Sequence, residues 1–130
     1  MPEHGLILDT CALLWLASGS PRLSKPARRR VDLERAVHVS AISAWEIGIK
    51  VDKGDLELPR PPRDWFSQAI ARHGLVLAEL DIDVLFAATE LPGHHHDPAD
   101  RFIIATALRH GLTVVTGDRR FRAYGVPVLE

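Results

Sequence analysis

The chain has 130 residues, 46% of them hydrophobic and 25% charged, with a formal net charge of −1. That size suits one domain over residues 1–130 with a real core, and the balanced charge gives no overall basic signal for a nucleic-acid partner, although a local basic patch can coexist with a neutral total. The single cysteine, Cys11, excludes an internal disulfide; with no apolar run near the roughly 20 residues of a membrane helix and no signal-like N-terminus, a cytoplasmic protein with no membrane association is expected.

Leu6 to Leu8 is a short apolar run that reads as a buried strand, closed by Asp9. Thr10 to Ala17 follows as a helix, with Leu13, Leu14 and Leu16 available for packing, and Gly19, Ser20 and Pro21 break it. Ser24 to Ala36 is a charged helix with Ser24 and Pro26 as its start signals. Val37 to Val39 is a second strand. Ile42, Trp45 and Ile49 then recur at helical spacing until Gly54. After a loop at Pro59, Pro61 and Pro62, the residues Trp65, Phe66, Ala69 and Ile70 define another amphipathic helix.

Leu75 to Leu80 is a third strand candidate, and Asp81 or Asp83 opens a helix that Pro92-Gly93 stops. Pro98 to His110 is apolar nearly all round and should be a buried helix. Thr113 to Thr116 is the fourth strand. A helical turn near Phe121 leads to Val126–Leu129, an edge strand because Pro127 lacks a donor. The alternation of strand and helix predicts an α/β fold, a three-layer α/β/α sandwich with a mainly parallel central sheet.

On such a sheet, ligand sites form beyond the carboxyl ends of the strands. Asp9 and Asp118 each follow a strand, whereas Glu46 and Asp100 lie near the starts of helices whose N-termini return to the same edge. If the strands are neighbours, four carboxylates converge. Ionised carboxylates a few Å apart repel one another and raise at least one pKa. A hard dication such as Mg²⁺ or Mn²⁺ relieves that repulsion and suits phosphodiester hydrolysis.

Each acid also has a purely structural explanation. Asp9 and Asp118 stand where helix N-caps belong, and Ser43 with Glu46 has capping-box spacing. Against that, Glu46 shares a helix face with Ile42 and Ile49, an awkward place for a merely solvated carboxylate. Asp97, Pro98 and Asp100 read as N-cap, first-turn proline and box acid; the cap falls to Asp97 and the ligand role to Asp100, with Asp97 in reserve.

Four short segments in this order carry a resemblance. Leu8-Asp9-Thr10, Ser43-Ala44-Trp45-Glu46-Ile47, Asp97-Pro98-Ala99-Asp100-Arg101 followed by Ile104-Ala105-Thr106-Ala107, and Val115-Thr116-Gly117-Asp118 are similar to the successive motifs of PIN domains. Within that family the chain most resembles VapC-type ribonuclease toxins of bacterial type II toxin–antitoxin pairs. The resemblance implies that Asp9, Glu46, Asp100 and Asp118 bind Mg²⁺ or Mn²⁺ and support RNA cleavage, with Thr10 or Thr116 orienting an acid or water. It also implies a homodimer, and a cognate antitoxin whose C-terminal segment covers the active-site groove.

Around these acids, Arg119, Arg120 and Arg122 follow Asp118, and Arg101 adjoins Asp100, which makes them phosphate-contact candidates. Arg28-Arg29-Arg30 reads by default as a solvated helix face, and His94-His95-His96 as a solvated loop. Trp15, Trp45 and Trp65 read as core or interface anchors, and Cys11 as a small buried residue. Two enzymatic rivals fail on residues. A haloacid-dehalogenase-like phosphatase wants a second Asp where Cys11 stands, and a receiver-like domain wants a strand-ending Lys. The rival from another class is a non-catalytic PIN-like protein-binding module.

Overall fold

The computed structural model describes residues 5–93 and 97–130, so the loop reading of His94, His95 and His96 lies outside the described residues. The elements run β1 (Leu6–Leu8), α1 (Thr10–Ser18), α2 (Lys25–Leu33), β2 (Val37–Ser40), α3 (Ala41–Asp52), α4 (Pro62–His73), β3 (Val76–Ala78), α5 (Ile82–Glu90), α6 (Pro98–His110), β4 (Thr113–Val115), a 3₁₀ turn (Arg119–Tyr124) and β5 (Val128–Leu129).

The strands form a five-stranded sheet in the order β3-β2-β1-β4-β5, and all of its pairings are parallel. Alternation along β1 divides the core into two layers. Leu6 and Leu8 pack with Leu13, Leu16, Ala27, Val31, Trp65 and Ala69, and so with α1, α2 and α4. Ile7 and Val114 face the other way, onto Ile103, Ile104 and Ala107 of α6 and Phe121 of the 3₁₀ turn. Helices therefore cover both faces of the sheet, which is the expected three-layer architecture. Among the described residues no helix is long and apolar enough to cross a membrane.

The helix starts follow the capping chemistry of the sequence. Ser24 accepts from the Ala27 N–H at 3.2 Å, and Asp81, rather than Asp83, caps α5 by accepting from Val84 N–H at 2.9 Å; Asp83 instead pairs with Arg109 at 2.8 Å. Three expectations need correction. β3 is shorter than Leu75–Leu80, and both Val76 and Leu77 are partly exposed on this edge strand. Trp45 is exposed, which removes the core half of its core-or-interface reading, and Leu108 leaves one side of α6 open to solvent.

Sheet order is what positions the site. The chain winds from β1 to β2 to β3 on one side, then crosses to lay β4 and β5 on the other. The crossover creates a switch point between β1 and β4, where α/β sheets open a crevice beyond the strand ends. Asp9 and Asp118 flank that point.

Candidate active site

A cleft of about 450 Å³ opens at this edge, and Asp9, Glu46, Asp97, Asp100 and Asp118 all line it, together with Thr10, Lys50, Arg119 and Arg120. The adjacency that the topology required is therefore met. A larger hollow of about 800 Å³ lies at the opposite edge among Gly5, Ala36, His38 and Leu112, but Glu34 is the single carboxylate among its described lining residues. The chemistry sits in the smaller cleft.

Asp9 is buried and does two things at once. Its Oδ1 caps α1 by accepting from Ala12 N–H at 2.7 Å, and its Oδ2 accepts from the Thr116 hydroxyl. Thr116 in turn accepts from the Asp118 backbone N–H at 3.0 Å, so one hydroxyl links the acids of β1 and β4. Asp118 starts the 3₁₀ turn, accepting from Arg120 N–H at 2.9 Å. Capping and participation in the cleft are thus compatible roles for both residues.

Glu46 projects from the second turn of α3, which begins directly where β2 ends. The helix cap is Ser40, which accepts from Ile42 N–H at 3.1 Å, so the capping-box reading of Ser43 and Glu46 is wrong by one turn. Ser43 is buried and shares a 2.8 Å hydrogen bond with Thr10. Glu46 Oε2 lies 3.6 Å from Lys50 Nζ, whereas Oε1 is buried without a hydrogen-bonding partner. On α6, Asp97 is the N-cap, accepting from Ala99 N–H and Asp100 N–H, and Asp100 in the first turn lines the cleft beside it.

Other candidates lie elsewhere. Arg101 is corrected as a phosphate contact, because its guanidinium donates to the carbonyls of Ala88, Leu91 and Pro92 at 2.7–2.9 Å and seals the end of α5. Arg28, Arg29 and Arg30 do not line the cleft. Arg119 does, highly exposed and 3.8 Å from Glu130. Cys11, expected inside, is exposed at the cleft rim. Sequence reasoning missed Lys50 and the Thr10–Ser43 bond; the i,i+4 spacing of Glu46 and Lys50 was the available signal for the first.

A PIN domain family model matches residues 6–127. The chain belongs to the PIN-domain family. Ribonuclease VapC22 of Mycobacterium tuberculosis is 32% identical over 123 residues, covering 94% of this chain and 93% of that protein. Among solved structures, a DNA-bound VapBC from Salmonella typhimurium matches with a TM-score of 0.72 at 20% identity over 98% of each chain. FitAcB from Neisseria gonorrhoeae matches with a TM-score of 0.65 at 24% identity over 96% of each. Both likenesses speak to the fold.

The electrostatics of this PIN domain are those of a crowded acidic cleft. Burial raises the Asp9 pKa to about 6, with Glu46 and Asp118 adding to the rise and the Thr116 and Ala12 hydrogen bonds opposing it. Burial, then Asp97, Asp9, Glu46 and Asp118, raise Asp100 to about 8. Among the described residues no three His, Cys, Asp or Glu side chains form a ready-made metal cage. The partnerless Glu46 oxygen and the carboxylates that line the cleft fit a hard divalent cation.

Proposed function

We propose that this chain, acting as one PIN-like domain, is a metal-dependent endoribonuclease and the toxin of a toxin–antitoxin pair. The observation that carries this reading is the convergence of Asp9, Glu46, Asp100 and Asp118 on one cleft. Kinship with a ribonuclease over nearly the whole chain supports RNA as substrate. Asp9, Glu46, Asp100 and Asp118 would hold Mg²⁺ or Mn²⁺, with Asp97 fixing the start of α6. When bound, the ion would supply Lewis-acid polarisation of the phosphoryl group and a more acidic water for in-line attack.

The chain's own residues set the stage for that chemistry. Thr116 orients Asp9 through Oδ2 while the cap fixes Oδ1. Thr10 stays on Ser43 and steadies the start of α1. Arg119 and Arg120 place positive charge at the rim, which RNA phosphates need beside so many acids.

A cognate antitoxin and a homodimeric state belong to the same proposal. The VapBC and FitAcB likenesses support the first. For the second, Ile82 and Phe86 stand one turn apart on α5 and are 66% and 63% exposed, an apolar face suited to burial against a partner. The lack of a membrane-length apolar helix among the described residues accords with a cytoplasmic location.

The test separates chemistry from capping. Asn is as good an N-cap as Asp, so Asp9→Asn should melt at least as high as the wild type yet cleave RNA more than about 100-fold slower with Mn²⁺, beyond the loss typical of a metal ligand's supporting partner. Wild-type cleavage by purified Asp9→Asn would overturn the proposal. The alternative is a non-catalytic PIN-like binding module. It has no use for buried carboxylates whose pKa burial and crowding raise, and calorimetry showing no Mn²⁺ binding would favour it.

A further inference from the structure

The cleft carries its own cation on one of its acids. Arg120 Nε donates to Asp118 Oδ1 and Oδ2 at 3.1 and 3.2 Å, and Nη2 donates to Oδ2 at 2.8 Å. The Arg120 backbone N–H also reaches Oδ1 at 2.9 Å. These donors approach the roughly four lone-pair sites that a carboxylate offers. We propose that Arg120 is a resident counter-cation, which neutralises Asp118 in the metal-free cleft, yields that carboxylate to an arriving divalent ion, and then presents its guanidinium to a phosphate of bound RNA. The inference rests on the proposed metal-dependent nuclease function.

Charge gives the first part its sign. Thr116 supports Asp9 with a neutral hydroxyl, which leaves the carboxylate negative and attractive to a dication. Arg120 brings a full positive charge within 2.8 Å of a prospective ligand oxygen. That charge repels a dication and competes for the same lone pairs. An arginine in this place therefore weakens metal binding, and its removal tightens it.

Exposure makes the exchange feasible. The Arg120 side chain is 64% exposed and that of Asp118 only 27%, so the arginine can swing outward while the acid stays. Exposed ion pairs contribute little net free energy, so release is easily driven. The freed group is the right one for RNA, because a guanidinium fork matches phosphate oxygens. Its neighbours are placed differently. Arg119 and Arg122 lie toward Glu130, Arg101 is held by backbone carbonyls, and Lys50 is a point charge beside Glu46, one turn along α3.

The test is Mn²⁺ calorimetry on the full chain without RNA, followed by steady-state cleavage at saturating Mn²⁺. Arg120→Ala should bind Mn²⁺ about two- to fivefold tighter, the scale of an exposed ion pair, and Arg120→Lys should fall between it and the wild type. Arg120→Ala should also raise KM for RNA more than it lowers kcat, and the salt dependence of log KM should become shallower by about one. Arg120→Gln, which keeps a side-chain donor without the charge, repeats the measurement if the alanine variant fails to fold. Weaker or unchanged Mn²⁺ binding in these neutral variants would overturn the inference alone, since Arg120 would then be supporting Asp118. An unchanged KM would also overturn it. Failure of the wild type to bind Mn²⁺ would remove both the inference and the reading beneath it.

Discussion

Thr116 shows how a single hydroxyl can set the geometry of a carboxylate cluster. It donates to Asp9 Oδ2 and accepts from the Asp118 N–H, so it fixes two acids from different strands relative to each other. Thr116→Val keeps the β-branched shape but removes both bonds. It should lower Mn²⁺-dependent cleavage about 10- to 100-fold, the range for a ligand's supporting partner, while Thr116→Ser retains most of the rate. Equal rates for Val and Ser would sink this role. At this scale the sequence was informative where patterns conflicted. Glu46 on an apolar helix face was an anomaly as a solvated residue, and its buried, partnerless oxygen accounts for it. Arg101 misled for the opposite reason. Adjacency to Asp100 suggested a shared site, but consecutive helical residues point in different directions, and Arg101 turns to the end of α5.

At the scale of elements, the join between β2 and α3 decides where the acidic cleft closes. No loop separates them, so Ser40 is both the last strand residue and the helix cap. Ser43 is thereby freed from capping and buried against Thr10, where it ties α3 to α1. Ser43→Ala would strand the Thr10 hydroxyl in a buried site and should cost about 1–3 kcal/mol in urea unfolding. Adding Thr10→Val should recover part of that loss, because two apolar partners leave nothing unsatisfied. A double variant as unstable as the summed singles would refute the coupling. Helices and strands themselves were legible, since caps, prolines and glycines punctuate the chain. The cap of α3 stayed open, because Ser43 with Glu46 has capping-box spacing and only the end of the strand at Ser40 rules it out. Strand order was not legible in principle, because parallel pairing joins residues far apart in sequence, such as Leu6 with Val37 and Thr113.

For the whole molecule, the acidic cleft couples stability to pH and to metal. Asp9 titrates near 6 and Asp100 near 8, each raised chiefly by burial from the ordinary aspartate value of 3.8. An acid with a raised folded-state pKa binds more protons when folded than when unfolded, so its contribution to stability falls as pH rises. The loss begins above the unfolded value and is complete once pH has passed the folded one, so it spans about pH 4 to 6 for Asp9 and about pH 4 to 8 for Asp100. Metal-free protein should therefore lose melting temperature between about pH 4 and about pH 8. Saturating Mn²⁺ should restore stability most at the alkaline end, because it binds the ionised cluster and only in the folded state. Asp100→Asn cannot ionise there, so metal-free Asp100→Asn should melt higher than the wild type at about pH 8.5 and gain less from Mn²⁺. It should also lose cleavage. A metal-free Asp100→Asn protein no more stable than the wild type at that pH would show that the cleft does not strain the fold. Mn²⁺ stabilisation independent of pH would show instead that the ion binds away from these acids. One substitution that makes the protein both more stable and less active would mean that the carboxylates are kept together for a cation, at the expense of the metal-free fold.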